Sequence, residues 1–296
     1  MKKYNSLGHI LKDYRVYHNM SQAELASDLD VDIRSVIRWE KNETLLNSDK
    51  EQALAKTTFI PYQVIRNLNT INPIATFYDF DLRKYSLTAI SSVLPDADWI
   101  GSKIDVPTTR LRPIKNKEDI DNIIRFTKLQ KNPLKSLNRE LITAAARIFP
   151  DMNLIILDQS GNYSGHSVYF PLSMETYSQI RDRIIQESDL TPKDLINYES
   201  QDIPVFYCHS ITADSNENFF YIIGAILKFY RDVAPKDYLY ALLTSRYDSR
   251  NMSEQLHIKT VWEDTITKDK YKLIGTPRLV EGDFKMFFNS MGKFNL

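Results

Sequence analysis

Arg34 and Arg38 stand four positions apart, with Ser35 between them and Ile33 just before. Positions i and i+4 share one face of a helix, so the two guanidinium groups are expected side by side. Arginine is shaped to grip guanine O6 and N7 in the major groove, serine can bond bases or phosphates, and isoleucine can meet a thymine methyl. If Val31, Val36 and Trp39 face a core with Leu25 and Leu29, then Asp32, Ile33, Arg34, Ser35 and Arg38 form the outward face. Gln22, just inside the free amide end of the preceding helix, is placed to hold a backbone phosphate.

Other chemistry-bearing residues are sparser. Cys208 and His209 are adjacent, but neighbours on a strand point to opposite faces, so a thiol–imidazole pair is not expected and Cys208 reads as a buried strand cysteine. His9, His18, His166 and His257 show no metal-ligand spacing, so no metal site is expected. "GNYSG" reads as a hairpin turn rather than a phosphate loop, because no helix follows it.

Helices must carry the arginine face. Leu7, Ile10, Leu11, Tyr14 and Tyr17 make one stripe of a first helix that should stop near Asn19. Ser21 to Glu24 reads S-x-x-E, a capping box that opens a second helix. Asp30 suits the turn, because aspartate tolerates the left-handed conformation, and a third helix is expected from about Asp32 to Lys41. Ser48 to Glu51 repeats the capping box for a fourth, and Pro61 suits the first position of a fifth ending near Leu68.

With these residues in place, "RVYHNMSQAELASDLDVDIRSVIRWEKN" resembles the helix-turn-helix of the Cro/cI (XRE) family. The resemblance rests on the Ser21-Gln22 opening, the Leu25-Ala26 pair, Val31 after the turn, and Val36, Trp39 and Glu40 in the reading helix. It implies double-stranded DNA as partner, with Gln22 on phosphate and Ile33, Arg34, Ser35 and Arg38 facing bases or backbone. Asp30 and Asn42 stand where the family often has glycine, and Ile37 where a small polar residue is common.

Charge bounds the affinity. Lys plus Arg and Asp plus Glu each number 38, so any attraction for a polyanion must be local. Asp28, Asp30, Asp32, Glu40 and Glu43 dilute Arg34, Arg38 and Lys41, so a homodimer reading two half-sites is expected.

Residues 71–107 are rich in aromatics without a sustained period and read as a connector between a helical domain over 1–70 and a second domain over 108–296. In the latter, strands alternate with helices, which indicates an α+β mixed sheet. Strands are expected at "TRLRPI", in a hairpin around Gly161-Asn162, and at "IPVFYCHSITA", "DYLYALLTS", "KTVWED" and "YKLIGTPRLV". Helices are expected at "NKEDIDNIIRFTKLQK", "LKSLNRELITAAARIF", "METYSQIRDRIIQ", "TPKDLINY", "NENFFYIIGAILKFYRDV" and "DSRNMSEQLHI". The order resembles a GNAT-type N-acyltransferase.

That resemblance implies acetyl-CoA as cofactor, received on glycine-rich backbone at a helix start. Here the matching loop reads "ADSNENFFYIIGAIL", with Gly224 inside the helix and Asp214 and Glu217 set to repel phosphate. Ser253 falls near the family's tyrosine acid. These departures point to a domain without catalytic residues or cofactor, used for sensing a small-molecule or protein effector or for assembly. The alternatives are an acyl-CoA-dependent N-acyltransferase regulated by its own DNA-binding domain, and a DNA-anchored adaptor for another protein.

The single cysteine excludes an intramolecular disulfide and fits a reducing cytoplasm. No stretch approaches the roughly 18 apolar residues of a membrane span, and "FFYIIGAILKFY" is too short for one.

Overall fold

The computed structural model describes residues 1–86, 108–129, 132–235, 237–246, 258–273 and 275–283. Among them the chain is mixed α/β, with ten α-helices, a seven-stranded sheet and a three-stranded sheet. It divides into two compact units, one of Met1–Val93, Leu157–Ser164 and Ala213–Asn218, the other of Leu94–Ile156, Gly165–Thr212 and Phe219–Leu296.

The first unit holds helices α1 (Leu7–His18), α2 (Gln22–Asp28), α3 (Ile33–Glu40), α4 (Ser48–Thr58) and α5 (Tyr62–Leu68). The apolar stripe of α1 meets Leu25, Val36, Leu54 and Ile65 in a shared core, and Ile10 and Leu11 are fully buried there. Each such side chain stabilises the fold by about 1.5–3 kcal/mol relative to exposure. α1 stops where expected, at Asn19 in the left-handed region (φ 52°).

Helix α4 starts differently from the expectation. Asn47 is its cap, accepting from the Lys50 amide at 2.9 Å, and no box forms between Ser48 and Glu51. An asparagine one residue earlier caps equally well, which leaves Glu51 free to turn inward. Fully buried, Glu51 accepts from Asn69 Nδ2 at 2.6 Å, Arg66 Nη1 at 2.9 Å and Tyr62 OH at 3.2 Å.

The segment expected to be a connector begins instead with ordered strands. β1 (Lys2–Tyr4), β2 (Thr76–Asp79) and β3 (Lys84–Ser86) pair antiparallel in that order, with Tyr4 opposite Thr76 and Phe77 opposite Ser86. They belong to the first unit. The rest of that segment, 87–107, lies outside the described residues.

Along the rest of the chain lie β4 (Leu111–Pro113), α6 (Lys117–Leu129), α7 (Arg139–Ile148), β5 (Leu154–Leu157), β6 (Tyr163–Leu172), α8 (Met174–Arg181), β7 (Val205–Ala213), α9 (Asn216–Asp232), β8 (Leu239–Thr244), β9 (Lys259–Glu263), α10 (Thr265–Tyr271) and β10 (Arg278–Gly282), which fall in the second unit apart from Leu157–Ser164 and Ala213–Asn218. The sheet order is β4-β5-β6-β7-β8-β10-β9. β7 and β8 run parallel, with Val205 opposite Leu239, and such a pair needs a crossover, which α9 supplies. β4 with β5, β8 with β10 and β9 with β10 are antiparallel. Gly161 (φ 80°) turns the β5–β6 hairpin, and the Asp158 carboxylate accepts the amides of Ser160 and Asn162 at 2.8 and 2.9 Å.

Several details of the second unit depart from the sequence reading. "TPKDLINY" forms 3-10 turns at Pro192–Asp194 and Tyr198–Ser200, because the Asp194 carboxylate takes the Thr191 amide within three residues and Leu195 bridges to Leu172. α8 ends at Arg181, short of the expected 186. α10, capped by Asp264, fills what read as a loop. The helix expected over 248–258, with Ser253 and His257, falls on 247–257, outside the described residues apart from Ile258. Ile222, Ile226 and Leu227 of α9 are buried, and no described helix is long and apolar enough to cross a membrane.

Candidate nucleic-acid interface

Helix α2 is started by the predicted box. Ser21 Oγ accepts the Glu24 amide at 3.1 Å, and the Glu24 carboxylate accepts the Ser21 amide at 2.7 Å, which holds that carboxyl below its usual range. The turn into α3 runs through Asp30 in the left-handed region (φ 50°), and the Val31 amide donates back to Ala26 O at 3.0 Å. Leu25, Leu29, Val36 and Trp39 are buried as expected, whereas Val31 is half-buried.

The outward face of α3 then sorts into two kinds of residue. Arg34 and Arg38 are exposed, Ile33 is 41 % exposed and Ser35 half-buried. Neither arginine side chain has a hydrogen-bond or ion-pair partner among the described residues. Asp32 is different: it is the cap of α3, its Oδ1 accepting the Arg34 amide at 2.7 Å.

Gln22 is also engaged, its Nε2 donating to Glu40 Oε2 at 2.7 Å. Glu40 is the centre of a network that no spacing rule revealed. Arg15 Nη2 donates to Glu40 Oε2 at 2.8 Å, Arg15 Nε donates to Glu40 Oε1, and Arg15 Nη1 reaches Met20 O at 2.9 Å. The hydrogen bonds to Glu40 raise the Arg15 pKa further, and they tie α1 to the end of α3. The Gly8 amide donates to Asn42 Oδ1 at 2.9 Å, and Asn42 adopts φ 57°, a conformation asparagine tolerates. The arrangement presents two unengaged guanidinium groups, one turn apart, on a helix whose inner face and both ends are fixed. That is what a rigid reader of an anionic, hydrogen-bonding surface needs.

In the second unit, Cys208 and His209 are both fully buried. Burial pushes the Cys208 thiol up to about 12, with Tyr169 and Tyr240 as its hydrogen-bond partners, so it is no nucleophile at neutral pH. His209 Nδ1 instead donates to Glu187 Oε1 at 2.7 Å, and Lys135 Nζ donates to Glu187 Oε2 at 3.1 Å and to His209 O. Burial by itself raises the Glu187 carboxyl, but the Lys135 ammonium and His209 overcome it and hold the group low, at about 2. No three His, Cys, Asp or Glu side chains among the described residues converge to hold a metal.

Asp214, just before α9, is buried. Its carboxylate accepts from Ser164 Oγ and from Asn218 Nδ2, each at 2.8 Å, and burial pushes it up to about 6. A buried acid followed by Glu217 does not fit the pyrophosphate of an acyl-CoA, which needs bare amides. No protein-family model matches the chain, and no curated protein matches it significantly.

Proposed function

We propose that the chain is a cytoplasmic, sequence-specific DNA-binding transcriptional regulator that acts as a homodimer through a Cro/cI-type helix-turn-helix. The observation that carries this reading is the contrast on α3: the side chains of Arg34 and Arg38 have no partner among the described residues, while Asp32, Gln22, Glu40 and Arg15 around them are held in internal bonds. Arginines left free on a locked helix suit guanine recognition. The acids near them keep the electrostatic attraction of one module modest, which favours two modules on two half-sites.

The second unit is read as a GNAT-like domain without catalytic function, used to sense a ligand or to join copies of the chain. The chain order of its elements and the parallel β7–β8 pair joined by α9 support the likeness, and the buried Asp214 just before α9 argues against acyl transfer.

Selection of the full chain on random duplex DNA tests the function. Enrichment of a two-fold symmetric motif, with half-sites about one helical turn apart, is the expected result. Arg34→Ala should relax one position of that motif at a cost of about 1–3 kcal/mol. A pool without enrichment would remove the reading. Thiol release from acetyl-CoA by the same protein would move it to the acyltransferase alternative.

A further inference from the structure

Helix α8 is closed by an unusual residue. Arg183 adopts φ 60°, in the left-handed region that favours glycine, with its amide donating to Ile180 O at 3.1 Å and the Ile184 amide donating to Gln179 O at 2.8 Å. An arginine here is unfavourable for the helix end itself, and such strain points to a task for the side chain. The guanidinium carbon lies 4.3 Å from the centre of the Trp262 ring, and Nη2 donates to Glu263 O at 3.2 Å. Trp262 is fixed in turn, with Nε1 donating to Arg181 O at 3.1 Å. A cation stacked on an indole is therefore held at both ends.

This platform borders a cleft of about 120 Å³ whose apolar wall comes from Leu134, Ile180, Ile185 and Leu243. Three charged residues line it. Glu187 has both oxygens occupied, by the Ser136 amide at 2.9 Å, His209 Nδ1 at 2.7 Å, Lys135 Nζ at 3.1 Å and Tyr207 OH at 3.0 Å. Asp264 is the cap of α10, accepting the Thr267 amide at 2.8 Å and its hydroxyl at 2.9 Å. Arg183 alone keeps N–H groups, on Nε and Nη1, with no partner among the described residues.

We infer that the cleft binds a small carboxylic acid with an apolar body, its carboxylate on the Arg183 fork and its aliphatic or aromatic part against Trp262, Ile180 and Leu243. A guanidinium edge matches a carboxylate bidentately, and a mostly apolar pocket with one placed charge is the ordinary make-up of a small-molecule site. An amine of the same shape meets a cation and two acids already bonded elsewhere. The inference rests on the second unit alone and stands or falls without the DNA-binding reading.

Calorimetric titration of the full chain with phenylacetate and hexanoate, against phenethylamine and hexanol, tests it. Saturable binding of at least one acid is expected, about tenfold or more weaker for the matched amine and alcohol, as befits a hydrogen bond to a charged group. Arg183→Gly suits the backbone, so it should melt no lower than the parent while binding the acid at least about tenfold more weakly. Leu243→Trp should block the cleft and abolish binding. No saturable heat from either acid at millimolar concentration, an alcohol that binds as tightly as its acid, or undiminished binding by either variant would overturn the assignment.

Discussion

Gly8 lies against the last turn of α3 so closely that a Cβ on it would stand 2.4 Å from the carbonyl oxygen of Glu40 and 2.5 Å from that of Trp39. Both obstacles are backbone, which cannot swing aside as a side-chain tip can. Gly8→Ala should therefore push α1 away from α3 and strain the Gly8–Asn42 hydrogen bond. Overpacking of this kind costs about 1–3 kcal/mol, read as a lowered urea midpoint with an unchanged slope. A midpoint equal to the parent's would show that the two helices can part without loss.

Glu40 joins three elements through Arg15 and Gln22. Its side chain is 6 % exposed and that of Arg15 13 %, so each is nearly out of water. Glu40→Ala strands the Arg15 guanidinium and should cost about 3 kcal/mol, whereas Glu40→Gln keeps an acceptor and should cost less. A double-mutant cycle with Arg15→Ala checks this, because the coupling energy vanishes if the pair contributes nothing.

The five N-terminal helices were legible because each carries a local signal: the stripe of α1, the Ser21–Glu24 box, the left-handed tolerance of Asp30. The strands β1 to β3 were not, because three or four residues are too few to show a period and Lys2 finds its partner at Tyr78. Asp32 had the right exposure for a base reader, and only its bond to the Arg34 amide marks it as a cap. The Lys135–Glu187–His209 cluster and the Arg183–Trp262 platform unite residues from distant segments, so spacing along the chain carried no trace of them. Arg15 was hidden for the same reason, its partner Glu40 lying two helices away.

The buried Asp214 should make stability depend on pH. An aspartate in the unfolded chain titrates near 3.9, and burial pushes Asp214 up to about 6, so the folded state holds the proton more tightly. Its stabilisation is then complete below about pH 4 and lost as the pH rises through 6, a change of roughly 3 kcal/mol at 1.36 kcal/mol per unit. Burial pushes His166 down to about 3, which works in the opposite sense across the whole of that range, so the parent's curve is a sum. Asp214→Asn isolates the aspartate: the variant's advantage over the parent should grow from pH 4 to pH 7. A constant offset across that range would rule the titration out.

Asp32 and Arg34 make the sharpest test of how α3 is used, because they are neighbours with different proposed tasks. Asp32→Ala removes a cap worth about 1 kcal/mol and should weaken binding by a similar factor on every operator variant, since it frays the helix without touching a base. Asp32→Asn keeps the cap and removes a negative charge from the face proposed to meet DNA, so it should bind all sequences more tightly. Arg34→Ala should lose discrimination at one base pair while hardly altering affinity for operators already changed there. Competition binding against a set of singly substituted duplexes separates these patterns. If Asp32→Ala shifted base preference and Arg34→Ala did not, the roles of cap and reader assigned to the two residues would have to be exchanged.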